Sequence, residues 1–530
     1  MAYKKNYKRN GKNNKNYKND GYRDKRSNDS KDDDRDKATS NERFPNDPRW
    51  YVSDPEVARQ VTQLSFRNLA GLPLKLSEEV TIQIPNIMVN YLNPSAGVQT
   101  FTEDFESGLN MSSLTEFQQL SSGSGRTTTA YGPQDISLMN LALGECISQF
   151  ECIRRALGCA FLFSERNRSF PTQVLTSMGL DAEDLYENYP NYRITFNRIV
   201  TQFNRIPIPT NVAYFDKCAA LYEKIYWDDV SPMAQLVYNL PATTWILDET
   251  YDSNGSGLVT CDWGLHVTGG RNVTTLHSWL VQLQSCVHRL LSSSTLNVVY
   301  ADIIRYTAAA GINHWKVDIF ADGYPTPIEY NEIYLNQWHN MNFMGMPTHS
   351  TGPVEPLNIT KYNDVCCSAE GNVVRYDPGF GVARSVLKDG VVVDFTTDNP
   401  DPLVVLDSLR FITIPSGIVI EGNTKYTTCA TIPDHYGVLV GVFLPEKDPI
   451  LLASTIPVDA STVDHLSYLS AFDWHPLFYV VKTVSGEYKL DGTINGDLNY
   501  YTTVDANYMT PITELIAFSL YGLRDALKKI

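Results

Sequence analysis

Residues 133–160 read PQDISLMNLALGECISQFECIRRALGCA. Within them Met139, Leu143, Cys146, Phe150, Ile153, Leu157 and Ala160 recur at alternating spacings of four and three. That spacing puts them on one stripe of a helix about six turns long. Pro133 and Asp135 mark its start, Asp135 being placed to cap the orphan amides of the first turn. Gly144 and Gly158 each cost a helix about 1 kcal/mol relative to Ala, so they mark places of close helix approach. This helix is expected to be the spine of the body.

Working outward, Leu276, Leu280, Leu283, Val287 and Leu290 repeat the pattern, which breaks at Ser292-Ser293-Ser294 and resumes through Val299, Ile303 and Tyr306 to Gly311. This reads as a helical hairpin. Shorter helices fit 175–188, 191–203 and 213–226. At the C-terminus Thr510 is expected as cap and Pro511 as first helical residue, ahead of Ile512, Leu515, Ile516, Leu523 and Leu527. Lys528 and Lys529 would lie over the negative end of the dipole. From 316 to 503 the pattern changes to period two. Lys388-Asp389-Gly390, between Val386-Leu387 and Val391–Val393, reads as a hairpin turn, as does Ser485-Gly486 between Val480–Val484 and Glu487–Leu490. Leu403–Leu406, Leu409–Ile414, Ile418–Ile420 and Val438–Leu444 add strands. The fold class is α+β. A disordered arm spans 1–49, a mostly helical domain 50–315 and a β-rich insertion 316–503, and the helix of 504–530 returns to the helical domain.

The arm has no Leu, Ile or Val, and its first 26 residues set ten basic side chains against two acidic ones. Those ten are Lys4, Lys5, Lys8, Arg9, Lys12, Lys15, Lys18, Arg23, Lys25 and Arg26, a local net of +8. Residues 1–49 stand at +6 and residues 50–530 at −22. Without aliphatic side chains to bury, the arm cannot offset an ordering entropy of roughly 1–2 kcal/mol per residue and is expected to be disordered. Its lysines neutralise phosphates and its interleaved Tyr3, Tyr7, Tyr17 and Tyr22 can stack on exposed bases. It reads as a non-specific RNA tether built on those ten residues. The bland alternative is a solubilising tail or a targeting signal.

Other classes lack their signatures. No apolar run follows the basic residues before Val52, so no secretory leader is expected, and no stretch is apolar enough to span a membrane. Nine scattered cysteines without a CxxC pair point to buried reduced thiols and not to a disulfide framework or zinc. Ser121–Thr127 is rich in glycine but departs from the phosphate-loop pattern, and it reads as a flexible loop. HExxH, GxSxG and GDD are missing, and the nine His do not cluster. His277 and His288 share a helix face but lie about three turns apart, too far to chelate one ion. His314 with Asp318, and Asp464-His465, are commonplace neighbours. Neither catalytic residues, metal ligands nor a cofactor are expected. Asn46-Asp47-Pro48 is an exposed junction open to nicking. The chain's 31 Tyr and 8 Trp suit protein–protein contacts.

The arm, the junction Pro48-Arg49-Trp50-Tyr51 with Gly71-Leu72-Pro73-Leu74 beyond it, the length, and the helical body with a β-rich insertion together resemble the capsid proteins of picobirnaviruses. These are small bisegmented double-stranded RNA viruses. The resemblance implies a non-enzymatic subunit that pairs as a symmetric homodimer, with dimers tiling a small icosahedral shell. It further implies a shell domain over 50–315, a projecting domain over 316–503, an arm facing viral RNA, and a virion assembled in the host cytoplasm. A cytosolic RNA-binding adaptor and a viral RNA-processing enzyme remain the other classes.

Overall fold

The run at 133–160 is a helix, and it is buried on nearly every side. The computed structural model describes residues 86–97, 107–124, 130–162, 170–230, 234–263, 274–343 and most of 359–523, with residue 59 and a short ladder of 74–75 against 81–82. In chain order the helices are α1 (Gly108–Ser124), α2 (Pro133–Cys159), α3 (Phe170–Ser177), α4 (Ala182–Phe203), α5 (Ala213–Tyr222), α6 (Leu276–Ser292), α7 (Ser294–Ala310), α8 (Glu332–His339), α9 (Pro402–Ser408), α10 (Thr462–Leu469) and α11 (Ala506–Tyr521). The strands are β1 (Ile87–Pro94), β2 (Ile225–Trp227), β3 (Leu236–Pro241), β4 (Thr243–Asp252), β5 (Gly255–Asp262), β6 (Ile328–Tyr330), β7 (Ile359–Cys367), β8 (Val374–Asp377), β9 (Val391–Phe395), β10 (Thr413–Ile420), β11 (Asn423–Ala430), β12 (His435–Phe443), β13 (Ile450–Leu452), β14 (Thr455–Pro457), β15 (Phe478–Val484), β16 (Glu487–Asn495) and β17 (Tyr500–Val504). Residues 1–64 and 65–530 separate as two units, and the second holds all of these elements.

Of the 27 residues of α2, 24 are buried. The expected stripe is among them from Met139 to Leu157, its last member Ala160 being the buried C-cap, and so are Asn140, Glu145, Gln149 and Arg155, polar residues that lie off it. The cap runs opposite to expectation. Gly132 is the N-cap, and Asp135 sits in the first turn with its carboxylate accepting the Gly132 N–H at 2.8 Å. Pro133 at the first helical position has no N–H to leave orphaned. A Cβ on Gly144 would lie 2.2 Å from the Tyr214 ring, so here α5 does come close. At Gly158 the neighbour is Thr326, in a loop and not a helix.

Several expected boundaries move. The helices at 175–188 and 191–203 are one helix, α4, preceded by α3. Pro190 sits inside α4 instead of breaking it, because Leu185, Tyr192, Phe196, Ile199, Val200 and Phe203 bury one face on both sides of it. The helix expected over 213–226 stops at Tyr222, and Ile225–Trp227 becomes β2. α11 begins four residues before Thr510. Asp505 caps it by accepting from the Asn507 and Tyr508 amides, and Pro511 lies within the helix. Leu403–Leu406 is helical, not extended, because Asp401 accepts the Val404 amide and Pro402 follows at the first position. The strand expected over Leu409–Ile414 starts only at Thr413. Ser121–Ser124, expected as loop, is the last turn of α1. α6 and α7 are broken at Ser293 as expected, and its hydroxyl caps the second helix. Gly311 closes that helix at φ +68°. The 478–495 hairpin is present, with Ser485 at φ +56° in its turn. Val391–Phe395 pairs with β17, while residues 386–389 and Lys528-Lys529 lie outside the described residues.

The main sheet has six strands in the order β6-β2-β3-β1-β12-β13. β1 lies parallel to β3 and antiparallel to β12, and β6 lies parallel to β2. Strands from either side of residue 316 therefore share one sheet and one core, and the stretch 50–315 supplies β1–β5 as well as helices. A second, antiparallel sheet runs β8-β7-β5-β4. Asn363, at φ +63° in a bulge of β7, joins the two sheets. Its amide donates to Pro94 O at 2.9 Å, its Oδ1 accepts from the Tyr376 hydroxyl at 2.6 Å, and its carbonyl accepts from the Trp245 indole at 2.7 Å.

One device recurs. An Asn amide is a peptide group on a short stem, able to donate and accept at once. Asn110 pairs this way with both backbone groups of Val374, Asn197 with Phe320, Asn204 with Val317, Asn340 with Asp394 and Asn342 with Thr413. Each pair extends the hydrogen bonding of a strand or loop onto a separate element.

Gly144→Ala should lower the thermal midpoint. The gain in helix propensity is about 1 kcal/mol, whereas forcing a methyl into the Tyr214 ring costs about 1–3 kcal/mol. A melting curve showing a stabilised variant would refute the close-packing account.

Candidate functional site: buried charge and the assembly surface

The ten basic residues expected to bind RNA, Lys4 to Arg26, lie outside the described residues, as does Asn46-Asp47-Pro48. His314 faces the Thr307 hydroxyl at 2.9 Å and is held structurally. Among the described residues no group of three or more His, Cys, Asp or Glu is placed to hold a metal ion, and no helix is long and apolar enough to cross a membrane. Eight described cysteines are free thiols, all buried except the half-buried Cys366. Burial pushes the Cys152 thiol up to about 11 and the Cys159 thiol up to about 12.

The polar face of α2 binds the body together. Ser137 donates to Ser113 and Asn140 to Glu116, both on α1. Gln149 donates to Thr244 of β4 at 2.7 Å, and Thr244 in turn donates to Glu145 at 3.1 Å. Arg155 donates to Asn239 O of β3 at 2.6 Å and to Lys224 O at 3.3 Å, with its guanidinium 4.8 Å over the Tyr238 ring. A fully buried guanidinium thus meets carbonyl dipoles and a ring face.

At the centre, charges alternate in sign. Glu145 Oε1 lies 3.2 Å from His435 Nε2, His435 Nδ1 lies 3.8 Å from Asp434 Oδ2, and Arg410 donates to that same oxygen at 3.0 Å. Burial works against charge on His435, but its contacts with Asp434 and Glu145 outweigh burial and lift its pKa to about 9. Burial likewise opposes the Asp434 charge, and Arg410 and His435 overcome it, holding the carboxyl well below its usual range. Neither the spacing of α2 nor the Asp434-His435 dipeptide marked this cluster, because its members come from separate segments. A second junction centres on His339, whose Nδ1 and Nε2 lie 2.8 and 3.0 Å from the carbonyls of His475 and Asp497. The Asp394 carboxylate is 3.6 Å from it and accepts the Asn499 and Tyr500 amides. The side chains of Glu145, Arg155, His339, Asp394, Arg410, Asp434 and His435 are all buried, so they hold the fold.

What the body offers outward is surface and shape, and comparison with known proteins interprets both. Residues 50–380 match the family model for the picobirnavirus capsid protein. The chain belongs to the picobirnavirus capsid protein family. It is also 21% identical over 487 residues to a capsid protein precursor of a human picobirnavirus, strain Human/Thailand/Hy005102, covering 83% of this chain and 85% of that one. Its fold matches the X-ray structure of the picobirnavirus capsid with a TM-score of 0.72 at 18% identity, over 91% of this chain and all of that one. Capsid-family membership gives the chain a structural role in a self-assembling coat and places it in the virion. It favours the coat subunit over the adaptor and the RNA-processing enzyme.

For this capsid-family body the charged centre sets a pH window. A raised His435 pKa contributes stability that is full below its ordinary value of 6.5 and is lost as pH rises through about 9. The depressed Asp434 contributes above its ordinary value of 3.8 and loses that contribution as pH falls through its folded-state pKa. The thermal midpoint should therefore drop between about pH 6.5 and pH 9, and His435→Gln should start lower below that interval but vary less over it. Parallel curves for the two proteins would exclude His435 as the cause. Asp434→Asn strips Arg410 and His435 of their shared carboxylate and should cost about 3–5 kcal/mol.

Proposed function

We propose that the chain pairs as a symmetric dimer, that dimers tile an icosahedral shell around double-stranded RNA, and that residues 1–49 tether that RNA without reading its sequence. The observation that carries the tether is the division of charge, +8 over residues 1–26 against −22 over residues 50–530. Lysines that neutralise phosphates release counterions, so arm binding is salt-dependent and indifferent to sequence. An acidic wall repels the genome at short range and is screened beyond about 8 Å at physiological salt. The arm then recruits RNA during assembly in the host cytoplasm without gripping it.

In the same reading 50–315 forms the shell, 316–503 projects, and the segment 504–530 returns to the shell. Because β6, β12 and β13 share the main sheet with β1–β3, this reading counts them with the shell, and the projecting part is drawn from the remainder of 316–503.

Expression of the full chain should give closed particles in negative stain. Deleting residues 1–26 should leave the body folded and lower the co-purified RNA, read as the ratio of nucleic-acid to protein absorbance. A full-length chain that stays monomeric or dimeric at near-neutral pH and moderate salt would overturn the coat reading. Unchanged RNA in the deletion would overturn the tether alone.

A further inference from the structure

We infer that the outer face of α11, continued by the exposed tyrosines of β17, is a contact surface between copies of this chain; the inference rests on the coat-subunit reading. α11 is apolar on two sides. Met509, Thr513, Ala517, Leu520 and Tyr521 are buried on its inner side. Tyr508, Pro511, Ile512 and Leu515 follow at i, i+3, i+4 and i+7, which is one helix stripe. That stripe faces solvent: Tyr508 is 69% exposed and Leu515 71%, Pro511 is exposed, and Ile512 is half-buried. A surface helix ordinarily turns charge to water, and one apolar all round is ordinarily buried.

The missing charge extends upstream. From Tyr500 to Tyr521 the only charged residues are Asp505 and Glu514, and Asp505 is occupied with capping α11. Tyr501 is 64% exposed, and Tyr500, Thr502 and Thr503 are exposed as well. Among the described residues β17 pairs with β9 alone.

The occupant is a second copy. Two bodies at −22 oppose like charges wherever acidic surfaces meet, and a face nearly free of charge escapes that repulsion. Depletion of charge and enrichment of Tyr are the compositional marks of an interface core. The chain's own basic arm is the poorer fit, because lysines gain nothing from a neutral apolar stripe.

The test uses the full chain, unaltered and carrying Tyr508→Glu with Leu515→Glu. Circular dichroism should give the same spectrum for both, while the concentration needed for assembly should rise by about tenfold or more in the variant. Hydroxyl-radical footprinting of the unaltered chain should show Tyr500, Tyr501, Tyr508 and Leu515 protected in particles and reactive in dissociated subunits. This second readout decides the matter if the variant does not fold. Normal assembly of the folded variant, or equal reactivity in particle and subunit, overturns the inference while leaving the coat reading in place. Protection in isolated subunits that disappears when residues 1–49 are deleted assigns the face to the arm and overturns it too. Absence of particles from the unaltered chain defeats the coat reading itself.

Discussion

Burying α2 on nearly every side takes Glu145, Gln149, Glu151 and Arg155 out of water, and the rest of the body is arranged around that demand. A buried polar group without a partner costs about 1–3 kcal/mol, and an unpaired charge several more. The polar residues of α2 reach different elements: α1 through Asn140, β4 through Gln149, β3 through Arg155, and the start of β12 through Glu145. Apolar packing would hold these elements near the helix in many registers. The polar contacts select one, since a slip of one residue would leave a charge without its partner. That is why strands from opposite ends of the chain, β1 and β12, can lie side by side in the main sheet.

The same arrangement explains what could be read from the sequence. The spine helix, the break at Ser293 and the 478–495 hairpin were legible because each is set by local chemistry: periodicity, a hydroxyl cap, a turn residue at positive φ. Pro190 and Pro511 misled because proline reads locally as a stop or a start, while packing on either side kept both helices continuous. The asparagines were the larger loss. Asn110, Asn197, Asn204, Asn340 and Asn342 look like loop or surface residues, and their role depends on a backbone segment that no local pattern identifies. The charged centre was invisible for a related reason, since Glu145 and His435 lie 290 positions apart. Only composition pointed to the arm, and only family resemblance gave it a context.

Acid and base work in opposite directions on the body. Burial lifts Glu116 and Glu151 to about 7 and Asp228 to about 6, so these side chains take up protons more readily when folded. A carboxyl with a raised folded-state pKa adds stability as pH falls toward its ordinary value. His435 reaches its full contribution over the same range. The body therefore gains on moving from neutral to mildly acidic conditions and loses on moving to alkaline ones.

The thiols bear on where such a coat can travel. With their pKa values raised by burial, Cys152 and Cys159 carry almost no thiolate at neutral pH, and it is the thiolate that attacks or is oxidised. None of the eight described cysteines is bonded to another. A particle passing from the reducing interior of a cell to an oxidising medium outside would carry no link among these eight thiols that a reductant could cleave. Reduction by glutathione would therefore not open the body through any of these eight cysteines.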